Sequence, residues 1–336
     1  MNRIILFFTC FSLCFSFELK KNLSEYQIFS GDPKNLVASE DFVHYDLITP
    51  LFTDYALKHR LIYIPDESKI EYKGKEVFDF PKGSIIVKTF YYPHDFENIN
   101  QGIDLVETRL LVHEASGWKA YPYIWNKDDT EAVLSVAGGI RSVTWKDQRG
   151  TQAIDYIIPN MNQCKGCHVK DGKFVPIGPT ARQLNKDLEY TDGVFNQLDR
   201  WRELGLLNNL PEFDLIPKIA DWDDPNSGSL DRRARAWLDI NCAHCHNLGG
   251  PAKTSGLFLD YYQEDPKALG IYKTPIAAGR GSGKFEYDIV PGDPDHSILV
   301  YRFDSTDPGI MMPELGRTMV HHEGLQLIRE WILSLR

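Results

Sequence analysis

Six residues concentrate the chemistry available to this chain: Cys164, Cys167 and His168 in one C-x-x-C-H segment, and Cys242, Cys245 and His246 in another. Two thiols at this spacing can each form a thioether with a haem vinyl group, and the imidazole that follows becomes the proximal iron ligand. Paired thiols can also build a structural zinc site. Zinc ribbons, however, separate their pairs by about 15 to 20 residues, whereas roughly 75 lie between Cys167 and Cys242. Nor does zinc give a reason for a histidine directly after each pair. A thioredoxin-like dithiol needs one motif in a βαβ setting, not two. The spacing therefore predicts two covalently attached haem c groups, held by Cys164, Cys167, Cys242 and Cys245, with His168 and His246 on iron.

The start of the chain supplies a context for that chemistry. Arg3 precedes an apolar stretch over 4–15 that is too short to span a bilayer, so residues 1–16 read as a secretory signal peptide. Its removal takes Cys10 and Cys14, leaves only motif cysteines, and predicts a periplasmic protein. The formal net charge of −10 then becomes −11, because Arg3 is the leader's only charged side chain. An acidic balance argues against nucleic acid and suits solubility or the steering of a basic redox partner protein. No apolar run in the mature chain is long enough for a membrane span.

The periodicity changes along the chain. Residues 85–92, 104–113, 118–125 and 140–145 are rich in β-branched and aromatic side chains and are separated by turn formers, which predicts an antiparallel sheet. Helices are expected at 181–187 and 194–206, and a polar, turn-rich linker at 217–228. After it, Ser229 can cap a helix with Leu230, Ala234, Trp237 and Leu238 on one face, and Leu325, Ile328, Ile332 and Leu335 mark a last amphipathic helix. The expected organisation is α+β. Residues 17–216 form an antiparallel β domain with a helical tail, carrying haem 1, and 229–336 form an all-α domain carrying haem 2.

Two terminal helices around a haem motif resemble the class I c-type cytochromes. That resemblance implies an all-α class I cytochrome c fold for 229–336 and a methionine loop before the last helix. Met311-Met312-Pro313 stands there, so Met312 is the implied sixth ligand of haem 2 and Met311 its packing neighbour. Both could instead be core methionines. Haem 1 must differ, because no methionine or histidine lies between His168 and His244. Met161 is tethered too close to Cys164 to reach the distal face. Of the upstream histidines, His44, His59, His94 and His113, the candidate is His59, with an open or water-filled distal site as an equal alternative.

A sheet that ends in its haem motif, with Lys88 closing the run Phe80-Pro81-Lys82-Gly83-Ser84-Ile85-Ile86-Val87-Lys88, resembles the cytochrome c-prime-beta proteins and their hydroxylamine-oxidising relatives. The hydroxylamine-oxidising relatives work through a lysine-crosslinked haem, and the distal face in these proteins is open; on pattern alone Lys88 is a solvated strand residue. Nearly the whole mature chain also resembles an uncharacterised group of bacterial periplasmic dihaem cytochromes, through 54–60, 78–90, 107–112, 162–168, 241–246 and 312–317. That last resemblance implies the architecture and two haems but no substrate; the chemistry of the expected haems leads to an electron-transfer protein, with a haem enzyme acting on peroxide, nitric oxide or hydroxylamine at haem 1 as the alternative. A dihaem peroxidase fits less well, since its first motif comes early in a helical domain.

Three further signals carry no function on pattern. The run Gly279-Arg280-Gly281-Ser282-Gly283-Lys284 lacks the first glycine and the hydroxyl residue of a phosphate loop. The acidic run Asp221-Trp222-Asp223-Asp224 lacks a calcium-loop ladder. The pair His321-His322 reads as solvated.

Overall fold

The computed structural model describes residues 17–336, so the leader at 1–16 lies outside the described residues. Six strands form one antiparallel sheet in simple chain order: β1 (Val43–Tyr45), β2 (Leu57–Tyr63), β3 (Ile85–Pro93), β4 (Ile103–Glu114), β5 (Gly117–Trp125) and β6 (Ala132–Leu134). A separate hairpin of β7 (Gly139–Asp147) and β8 (Gly150–Ile158) follows. Two tight turns set these hairpins. Each leaves two residues between paired ends, Glu114↔Gly117 and Asp147↔Gly150, and the glycine closing it has a positive φ of 110° or 99°.

Alternation along the strands divides the sheet into two faces. One face packs Leu61, Val87, Leu110 and Val112 with Ile28, Phe42 and Trp125. The other packs Ile62 and Ile86 with residues from beyond the sheet, including Leu198, Trp201 and Ile240. The second face also carries charge, and it is the face that meets the cysteine motifs.

Beyond the sheet the chain is short helices and loops: α1 (Met161–Cys164), α2 (Ala181–Leu184), α3 (Gln197–Glu203), α4 (Leu230–Leu238), α5 (Ile298–Phe303) and α6 (His322–Ser334). The helix expected over 194–206 begins only at Gln197. Strands Asp187–Tyr190 and Gly193–Asn196 pair in front of it, and Asn196 caps it by accepting from the Leu198 amide at 3.0 Å.

The fold class expected from the sequence is corrected here. The chain is mixed, 22% helical and 28% strand, with a large antiparallel sheet, and an all-α class I cytochrome c domain is not formed by its C-terminal part. The terminal helices α4 and α6 do pack on each other around Trp237, Ile328 and Trp331. Between α4 and α5, however, the backbone is one wide helical turn at Asp239–Ala243, short 3-10 turns and isolated bridges, such as Ile271↔Ile289. Glycines and prolines recur through that stretch, so no run is long enough to repay helix nucleation.

The two halves of the chain are tied together. Ile219 and Ala220, within the stretch expected to be a linker, are buried against Ile48 and Ala236. The Asp54 carboxylate accepts from the backbone amides of Thr318 and Met319, both at 2.7 Å, and the Tyr55 hydroxyl donates to Glu323 at 2.7 Å. Asp54 and Tyr55 adopt left-handed φ values of 47° and 63°, which aim both side chains at the last segment of the chain.

Candidate functional site

The two C-x-x-C-H segments fold the same way. Cys164 ends α1, which Asn160 caps by accepting from the Gln163 amide at 2.8 Å; Cys242 lies in a wide turn, Asp239–Ala243, that continues α4. In each motif the histidine amide returns to the carbonyl of the first cysteine, His168 to Cys164 at 3.0 Å and His246 to Cys242 at 2.9 Å. Each ring then meets a backbone carbonyl through Nδ1, His168 at 2.8 Å from Val175 and His246 at 3.3 Å from Leu257. A carbonyl only accepts, so Nδ1 carries the proton and Nε2 keeps its lone pair. Burial pushes both imidazoles down to about 4, which keeps them neutral. A neutral imidazole with a free Nε2 beside two thiols is a donor set that fits an iron porphyrin held by thioethers.

Each motif opens on its own cavity. The first lies between the charged sheet face and the C-terminal part and is lined by Cys164, Cys167 and His168, opposite Arg60, Lys88 and Arg109. The second is lined by Cys242, Cys245 and His246, with Lys273 and Met312 among the residues around it. The motifs also touch each other. Donor atoms of Cys167, His244 and Cys245 all lie within 4.8 Å of one another, and the Cys245 thiol donates to the Gly166 carbonyl at 3.4 Å. The neighbouring Cys245 thiol, with His244, holds Cys167 below the ordinary thiol range, and the same sulfur contact, with burial, raises Cys245. At Gly166 a side chain would press on the Gln163 carbonyl at 3.1 Å and on Leu315 at 3.3 Å.

Met312 lines both cavities, whereas Met311 is buried and lines neither. The Met312 segment is fixed by Arg317, whose guanidinium donates to the carbonyls of Met312, Met319, Arg302 and Ser305 at 2.8 to 3.1 Å. His59 is not brought to the site. Strand alternation points it to the far face of the sheet, where its ring stacks on His44 at 4.5 Å and packs near Phe29. Its neighbour Arg60 points into the first cavity instead.

Two residues read as solvated are not. Lys88 projects from β3 into the first cavity, with its ammonium 4.8 Å from the Phe90 ring centroid. His321 also lines that cavity, stacked on Phe52 at 4.2 Å. Trp237 Nε1 donates to His321 Nδ1 at 3.0 Å, so the neutral ring carries its proton on Nε2 and presents a donor there rather than a metal-binding lone pair. The sequence signal that could have found this contact is Trp237 itself, a buried indole whose N–H needs an acceptor.

Among the described residues no helix is long and apolar enough to cross a membrane. Comparison with known proteins supplies no family to lean on: no protein-family model, no curated protein and no solved structure matches this chain.

Proposed function

We propose that this chain is a periplasmic dihaem c-type cytochrome that transfers electrons with a protein partner. The observation that carries the proposal is the meeting of two identically folded C-x-x-C-H segments at Cys167, His244 and Cys245. A haem c bound at each motif would supply reversible one-electron chemistry at iron. Cys164, Cys167, Cys242 and Cys245 would attach the two groups, and His168 and His246 would offer Nε2 to the metals. Met312 is the thioether positioned for the second site. The close approach of the motifs brings the two attachment points together, which favours rapid exchange between centres.

The metal-only alternative is weaker on the same geometry. The cluster takes one thiol from each pair plus His244, leaving Cys164 and Cys242 out, so it is not the four-thiolate set of a structural zinc site. A second functional class, an enzyme acting on a small molecule at the first site, draws support from one arrangement: His59 faces away and His321 presents a donor, so neither caps that site as a ligand.

The test is the covalent haem content of the exported protein, by intact mass and alkaline pyridine absorbance. Two haems per chain are expected, and a protein carrying zinc and no haem would overturn the proposal. Carbon monoxide bound by one haem per chain after reduction supports the enzyme class; two low-spin haems that bind none support the carrier alone.

A further inference from the structure

The sheet face of the first cavity carries a charge arrangement that the electron-transfer proposal does not use. Arg60, Lys88 and Arg109 are directly opposed across β2, β3 and β4, as the register pairs Arg60↔Lys88 and Lys88↔Arg109 show. Lys58 stands one pleat further along β2, on the same face. Like charges set directly opposite one another repel, and burial raises the cost.

The anions within this group do not balance it. Glu107 grips Arg109, with Nε to Oε2 at 2.7 Å. Asp46 takes Arg60 Nη1 at 2.5 Å and is shared with Lys186 at 3.2 Å. Lys58 donates only to the neutral Leu51 carbonyl at 3.0 Å. Lys88 has no hydrogen-bond or ion-pair partner among the described residues, and Arg60 Nη2, in a residue only 3% exposed, is buried with none. Such a group reaches a low-energy state by shedding lysine protons or by taking up an anion. Burial and the neighbouring cations already push Lys88 and Lys58 well below the ordinary lysine range, so the cost of the uncompensated charge is large.

We infer that the row Arg60, Lys88 and Arg109 binds an oxygen-bearing anion, a carboxylate or a small inorganic oxyanion, on the sheet face of the first cavity. The geometry suits such a group. The unpartnered Arg60 Nη2 offers a directed N–H, and the Lys88 ammonium supplies a point charge beside it. Both side chains line the cavity that His168 lines, so a bound anion would sit next to the first motif.

The experiment titrates the haem-loaded protein with sodium sulfate, at ionic strength held constant with sodium chloride, by calorimetry and by urea denaturation. Haem content is measured first on each preparation, so a failure of the dihaem assignment is seen separately. Wild type is expected to bind one sulfate per chain, and Lys88→Met to weaken binding roughly tenfold or more, the loss of one charge-assisted contact. In sulfate-free buffer the same variant is expected to unfold at a higher urea concentration than wild type, because it removes a half-buried, uncompensated cation without stranding a partner. A free oxyanion is the source if both hold. A wild type that ignores sulfate, with Lys88→Met unfolding at lower urea, assigns the row to carboxylates of the attached group. No sulfate binding together with a stabilised variant, or equal binding by both proteins, overturns the inference.

Discussion

Replacing Arg317 with methionine tests whether the Met312 segment is held by its neighbours or by metal alone. Arg317 is 7% exposed, and its guanidinium makes five hydrogen bonds to four carbonyls. The Arg302 carbonyl keeps a second donor, the Met312 amide at 3.1 Å, but those of Met312, Met319 and Ser305 lose their only partner among the described residues. At about 1 to 1.5 kcal/mol for each bond, three losses amount to about 3 to 4.5 kcal/mol. Releasing a desolvated cation that touches no carboxylate returns about 1 to 2 kcal/mol. The expected net destabilisation is about 1 to 3.5 kcal/mol, read from urea denaturation at unchanged slope. A second readout separates scaffold from site: if Met312 ligates a haem as proposed, that haem's potential should fall, because a thioether that is no longer held would favour ferrous iron less. Arg317→Lys should recover little, since one ammonium cannot span carbonyls arranged for a planar fork. A variant within about 0.5 kcal/mol of wild type, with an unchanged potential, would refute the reasoning.

The adjacent methionines should part company. Met312→Ala is expected to abolish the weak long-wavelength sulfur-to-iron absorption band, while Met311→Ala keeps the band and loses about 2 kcal/mol or more of stability as a buried truncation; the reverse pattern would exchange the assignments. The His44 and His59 stack should make stability depend on acid. Burial, then the neighbouring ring, pushes His59 down to about 3, and burial lowers His44 as well. Both are therefore neutral in the fold where the unfolded chain is protonated. Their contribution is complete above about pH 6.5 and is lost as the pH falls toward 3, by at most about 5 kcal/mol for His59. Urea midpoints measured across that range should lose most of this slope in His59→Phe; an equal slope in variant and wild type would sink the claim.

What the sequence makes legible here is local. The cysteine motifs declare themselves because their chemistry is written in consecutive residues, and strands such as β3 and β4 show through their β-branched and aromatic runs. Facing is harder. A strand turns over at every residue, so choosing His59 rather than Arg60 for the cavity requires knowing on which side the rest of the chain lies. Lys88 looks solvent-facing for the same reason: its partners Arg60 and Arg109 become neighbours only through strand register. His321 reads as solvated because its acceptor role depends on Trp237, far away in sequence. The all-α expectation for 229–336 extends the real helices α4 and α6 across a glycine- and proline-rich interval in which only the short α5 forms.

The contact between Asp54 and the amides of Thr318 and Met319 imposes an order of events on the newly made chain. Asp54 precedes Thr318 by 264 residues, and loop closure over that distance is slow compared with forming a hairpin. The wall that Arg317, His321 and Met312 contribute to the first cavity therefore cannot close until the segment that carries them has been made. Until that closure the thiols of the first motif lie open on that side, and the closed fold then encloses them.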